Sequence, residues 1–268
     1  MTDAVAVFDD LKAEGDDLDR LVADLPEVDW VRPTPAAGWT IAHQIAHLAW
    51  TDDKSLLAVT DPDGFAAEVA EAAVRLAEYV EEGAAAGPPA PPGELLQRWR
   101  RSRSGLLDAL LQVPTGHRIP WYGPPMSAPS MATARLMETW AHGLDVADTL
   151  GVSREPTARL RHIVRLSVRT RDYAYLVRGE IPPTEPFRVE VTGPDGTLWT
   201  FGPEAAKQRV TGPALDLCLV ATQRRNRADL SLHAEGPDAD HWLDIAQAFA
   251  GLPGAGRQPA GRPEGRPA

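Results

Sequence analysis

Through the first 180 residues apolar side chains recur every three or four positions, a spacing that predicts successive helices. The stretch VAVFDDLKAEGDDLDRLVADL (5–25) carries one such stripe and stops before Pro26. TIAHQIAHLAWTDDKSLLAVT (40–60) carries the next, with Thr40 as its N-cap. Asp61 and Pro62 open a third helix that runs through FAAEVAEAAVRLAEYVEE (65–82). GAAAGPPAPPG (83–93) is a linker stiffened by prolines. ELLQRWRRSRSGLLDALLQV (94–113) is a fourth helix, GHRIPWYGPPMSAPS (116–130) a loop, RLMETWAHGLDVADTL (135–150) the fifth helix, and PTARLRHIVRLSVRTRDYAYLV (156–177) a sixth.

The pattern then changes period. FRVEVTGPDGTLWTF (187–201) alternates like two strands around a Pro194-Asp195-Gly196 turn, and KQRVTG (207–212) reads as a third strand. PALDLCLVATQ (213–223) is helical, DLSLHAE (229–235) another strand, and DADHWLDIAQAFAG (238–251) a last helix. From residue 252 onward Gly, Pro, Ala and Arg predominate, which predicts a disordered tail. The expected class is α+β: a helical bundle over 1–155, a small α+β domain over 156–251, and the tail.

The fifth helix poses the chemical question. At ~100° per residue, Arg135, Glu138, His142 and Asp145 fall within roughly a quarter of its circumference. Leu136, Met137, Trp140 and Leu144 occupy the side that looks like core. The polar stripe is either a solvated surface or the wall of a site. Its best partner is GWTIAHQIAHLAW, where His43 and His47 are spaced i,i+4. Antiparallel bundle helices bring such pairs together in their interior. His47, Glu138 and His142 would then offer two imidazoles and a carboxylate, a set that suits zinc or another divalent ion and leaves a position open for water or substrate. Arg135 or Asp145 could orient a ligand ring or hold an anion. Against this stands a solvated Glu–His pair, with His43 packed or hydrogen-bonded on its own account. Trp39, just before the N-cap, reads as a hydrophobic staple.

Composition narrows the partners. The formal net charge is −11 with no long basic run, which argues against nucleic acid and anionic membrane. No apolar run approaches the ~20 residues needed to span a bilayer, and the acidic start is not a secretory signal, so the expected compartment is the cytoplasm. The one cysteine, Cys218, lies in an apolar run and reads as a buried thiol, not a nucleophile. The arginines at 98–103 read as a solvated face balancing the acidic chain. In the loop, Trp121, Tyr122 and Met126 would either wall a pocket over the metal or plug the bundle end.

GWTIAHQIAHLAW and ARLMETWAHGLDVADTLG resemble the two metal-binding segments of the mycothiol-dependent maleylpyruvate isomerase family. The resemblance implies a DinB-type four-helix bundle over residues 1–155, with His47, Glu138 and His142 as metal ligands. It is closer still to an uncharacterised actinobacterial subgroup of metal-binding proteins, through PWYGPPMS and ETWAHG. It further implies a metal- and thiol-dependent isomerase or S-transferase acting on a small electrophile, with mycothiol as the low-molecular-weight thiol. Trp121, Tyr122, Met126 and Arg135 would line the thiol site, and an arginine of the second domain, here Arg224, would hold a substrate carboxylate. The expected assembly is a monomer or homodimer. A zinc-type hydrolase without a thiol cofactor and a non-catalytic metal- or ligand-binding protein are the alternative readings.

Overall fold

The computed structural model describes residues 2–72, 83, 85, 90–251, 253–254 and 256–261. The expected continuation of the third helix to residue 82, part of the proline-rich linker and part of the expected disordered tail lie outside the described residues. The chain forms two compact units, residues 1–154 and 155–268.

The first unit is built from α1 (Thr2–Val22), α2 (Ile41–Thr60), α3 (Pro62–Ala72), α4 (Pro92–Gln112) and α5 (Ala128–Leu150). Local chemistry sets the ends. Pro92 opens α4, where a missing N–H costs nothing. Ser127 caps α5 by accepting the Ser130 N–H, and Gly151 closes that helix at φ +70°, where a Cβ would be strained. Helix α5 packs on α1 and α2, and α2 packs on α4. Leu18, Trp30, Ile41, Ile45, Leu48, Trp99 and Val146 form a shared core from which water is excluded. Each large aliphatic buried there contributes about 1.5–3 kcal/mol.

The arginines of α4 are not a free solvated face. Arg98 donates to Asp53 on α2, Arg100 to Asp19 on α1, and Arg103 to Asp16 and Asp19. The hydrogen bond from Arg100 is the main cause holding the Asp19 carboxyl below its ordinary range. An acid held low in the folded state stabilises above its unfolded pKa and loses that contribution as pH falls. Asp19→Asn is therefore expected to destabilise by about 1–2 kcal/mol at neutral pH. In urea melts the difference from wild type should shrink as pH drops through about 4. A difference independent of pH would show that the pairs do not clamp α1 to α4.

The second unit contains α6 (Leu160–Arg169), α7 (Arg171–Leu176), β1 (Phe187–Thr192), β2 (Leu198–Phe201), β3 (Gln208–Pro213), α8 (Ala214–Ala221), β4 (His233–Glu235) and α9 (Pro237–Ile245). The sheet order is β2-β1-β3-β4. The turn at 194–196 pairs β1 with β2 antiparallel, whereas β1 and β3 run parallel, with Val189 opposite Val210. Several expectations need correction. The strand expected over 229–235 is confined to β4, and α5 begins at Ala128, inside the loop expected over 116–130. The sixth helix breaks at Thr170, whose hydroxyl lies 3.0 Å from the carbonyls of both Leu166 and Gln247. The last helix ends at Ile245 because Ala246 turns extended, at φ −52° and ψ 132°. Among the described residues no helix is long and apolar enough to cross a membrane.

Candidate metal centre

The polar stripe of α5 points inward. Arg135 is 2% exposed, Asp145 1% and His142 8%. Because α5 is flanked by α1 and α2, both its apolar and its polar sides are covered, and the stripe meets α2 where His47 sits. One donor atom from each of His47, Glu138 and His142 lies within 4.8 Å of the other two. His142 Nε2 is 3.1 Å and His47 Nε2 3.8 Å from Glu138 Oε2. Ligand atoms bonded to a tetrahedral ion at ~2.1 Å are about 3.4 Å apart, so the cluster already has the span of a first coordination sphere.

Hydrogen-bond direction says more. Gln44 Nε2 donates to Thr34 Oγ1 at 2.8 Å, because that hydroxyl spends its own proton on the Trp39 carbonyl. The amide oxygen of Gln44 therefore faces His142 Nδ1, and an amide oxygen can only accept. The proton of a neutral His142 must sit on Nδ1, which leaves Nε2 as a lone pair aimed at a carboxylate oxygen. Two acceptors 3.1 Å apart need a cation between them: a proton on the imidazole, or a metal ion. Burial would raise the Glu138 pKa. The hydrogen bonds and charge of the two imidazoles in their protonated form reverse this and hold it well below the ordinary range, so the carboxylate is ionised. His47 Nδ1 is buried without a hydrogen-bond partner. Two imidazoles and an ionised, half-buried carboxylate are a donor set that fits a divalent ion.

Trp39 is not the expected staple, since the position it would staple to, four residues into α2, is the polar Gln44. Its half-exposed ring instead covers both histidines. Its centroid is 5.8 Å from that of His142, nearly parallel at 18°, and 5.3 Å from that of His47. Trp50 lies beside His47 from within, at 6.2 Å. His43 turns away and accepts the Thr40 N–H through Nδ1, so it helps to cap α2.

The other sequence candidates have partners of their own. Arg135, expected at the thiol site, is committed through Nε to Asp52 Oδ1 at 2.8 Å in a buried ion pair. Trp121 stacks on Phe65 of α3 at 5.6 Å and 5°, with Tyr122 edge-on to both. Met126 pairs with Ile119 through two backbone hydrogen bonds, which closes the loop. From that loop to Glu138 is ten residues of helix, about 15 Å along its axis. Among the described residues, the aromatic rings beside the two histidines are those of Trp39 and Trp50. Arg224 follows α8 in the second unit and donates to the Thr222 carbonyl. Cys218 is fully buried, and burial pushes its thiol up.

Gln44, Thr34 and Asp52 went unremarked in the sequence. Gln44 left a signal, as a long polar residue one turn before His47 on an otherwise apolar stretch. Asp52 left none, because its partner Arg135 is 83 residues away, and Thr34 lies in a loop that no helical pattern marks.

The fold and the site together define a class of protein: a helical unit with an inward His-Glu-His cluster, followed by a small α+β unit. Residues 11–147 match the family model described as the mycothiol maleylpyruvate isomerase N-terminal domain. The chain belongs to that family. Residues 183–234 match a second model, described as wyosine base formation. An uncharacterized protein of Mycobacterium tuberculosis, known from two strains, is 57% identical over 257 residues, covering 96% of this chain and 100% of the relative. The crystal structure of the mycothiol-dependent maleylpyruvate isomerase aligns at a TM-score of 0.59 with 17% identity, covering 88% of this chain and 95% of that one. That of its histidine-to-alanine mutant aligns at 0.59 with 16% identity. At such identity the likeness is one of fold.

Proposed function

We propose that this protein is a thiol-dependent isomerase or S-transferase that uses a divalent metal, zinc by donor type, and mycothiol to act on a small electrophile. The observation that carries the reading is the convergence of His47, Glu138 and His142, with a carboxylate oxygen facing an imidazole lone pair. Family membership supports the thiol, because the solved relative is by its title a mycothiol-dependent maleylpyruvate isomerase.

His47, Glu138 and His142 would hold the ion, leaving a position open to an exogenous ligand. When bound, a divalent ion lowers the pKa of a thiol by several units and so supplies a thiolate at neutral pH, able to add reversibly to a conjugated electrophile. Trp39 and Trp50 flank the histidines with apolar rings and limit the access of water. The chain offers no reactive thiol of its own, since the single cysteine is buried, and this favours a thiol from outside.

The test is elemental analysis of the protein as isolated, followed by mycothiol titration of the cobalt-substituted protein. About one ion per chain is expected, with a sulfur-to-cobalt charge-transfer band that grows as mycothiol is added. A metal-loaded protein whose spectrum responds to no thiol would return the site to hydrolytic chemistry. A metal-free protein that takes up no zinc would end the reading.

A further inference from the structure

We infer that Gln44 is the positioning residue of this site: it sets the tautomer of His142 and links that ligand to the loop carrying Trp39. The inference rests on the metal-site reading above and adds to it a residue outside the ligand set. Gln44 is fully buried on α2, one turn before His47, and reaches across to His142 on α5. A side chain in such a place has a cheaper apolar alternative, since a buried amide must satisfy both its ends. Here both ends are satisfied in one direction only. Thr34 donates to the Trp39 carbonyl, Gln44 donates to Thr34, and Gln44 accepts from His142. Reversing the amide would set its NH2 against the Nδ1–H of the imidazole and its oxygen against a hydroxyl already committed as a donor. The chain of bonds therefore has one polarity, and that polarity presents Nε2 of His142 as a lone pair toward Glu138.

The same chain reaches the roof of the site. The Thr34 N–H donates to the Trp39 carbonyl at 2.7 Å, and Pro33 bridges to Thr40, so residues 33–40 form a closed loop. Through Thr34 that loop is tied to Gln44. The ring of Trp39 lies over the imidazole whose tautomer Gln44 sets. Ligand orientation and the cover over the ligands are thus held by one amide.

Zinc competition against a chromophoric chelator tests this, using the full-length protein. Gln44→Leu keeps the volume but removes the acceptor, and zinc affinity should fall by about 10–100-fold. Gln44→Glu restores an acceptor for the Nδ1–H, so affinity should return at least to the wild-type level. A role in packing alone predicts equal affinity in Gln44→Leu and wild type, or equal loss in both variants, and either result overturns the assignment. Should Gln44→Leu fail to fold, the imidazole 1H–15N spectrum of zinc-loaded wild type decides the matter. His142 is expected to be protonated at Nδ1, and protonation at Nε2 overturns the inference. A wild-type protein that binds no zinc defeats the metal reading itself, an outcome distinct from both.

Discussion

Glu138→Ala is expected to leave the bundle folded and to remove tight zinc binding. A structural zinc site is worth about 10–16 kcal/mol over four ligands, so one lost ligand costs about 3 kcal/mol, or more than ~100-fold in affinity. Glu138→Gln should lose nearly as much, since the amide keeps the shape without the charge. The fold should survive because the core of α2 and α5 is supplied by the buried Ile41, Ile45, Leu48, Leu136 and Val146. Alanine is also a better helix former than glutamate. Linkage offers a sensitive readout. Zinc at ~1,000 times its dissociation constant stabilises the wild-type protein by about 4 kcal/mol, and a chelator takes that away. The melting temperature of Glu138→Ala should respond to neither zinc nor chelator, while its far-ultraviolet circular dichroism matches wild type. Zinc-dependent stabilisation of wild-type size in Glu138→Ala would remove Glu138 from the ligand set. Loss of helix on chelating the wild type would make the ion structural and the protein's chemistry a different question.

Arg135→Met is expected to be among the most destabilising single changes in the first unit. Asp52 and Arg135 are both nearly inaccessible, and Arg135 Nε donates directly to Asp52 Oδ1. Breaking such a pair from one side leaves a buried charge without its partner, at a cost of about 3–5 kcal/mol. Replacing both partners, as Asp52→Leu with Arg135→Met, should recover most of that loss, since well-packed apolar residues avoid the desolvation. The pH dependence has a definite sign. Burial already raises the Asp52 pKa despite the opposing charge and hydrogen bond of Arg135. Without the arginine the rise is larger, and the native state binds a proton at pH values where the unfolded chain does not. Stability of Arg135→Met should therefore increase as pH falls from neutrality toward about 5, narrowing the gap from wild type. Urea denaturation at several pH values measures this. A single variant within 1 kcal/mol of wild type at neutral pH would mean that the pair is solvated. This contact gives Arg135, expected from the sequence at the thiol site, a buried partner on α2.

The helices were legible because helix formation is encoded locally. Apolar spacing, Thr40 and Pro62 each act within one turn, and the elements begin where those residues stand. Where the reading went astray, a distant group intervened. Thr170 breaks the sixth helix with a bond to the carbonyl of Gln247, 77 residues away. The arginines of α4 looked like a solvated face because Asp16 and Asp19, which they clamp, lie more than 80 residues earlier. The parallel pairing of β1 with β3 leaves no local trace either, unlike the hairpin of β1 and β2 with its Pro-Asp-Gly turn.

The same division holds at the candidate centre. Spacing along the chain determined that Glu138 and His142 share a helix face, and that His47 sits on another helix with an apolar ring one turn on. Periodicity in a helix is a property of a few consecutive residues, so it is written in the sequence. The tertiary structure alone decided that the polar stripe faces inward, that Trp39 and not Trp121 covers the histidines, that Asp52 claims Arg135, and that Gln44 orients His142 from 98 residues away. These are contacts between side chains whose distance in space is set by helix packing. Packing depends on the summed burial of many residues, and no short stretch of the chain carries it.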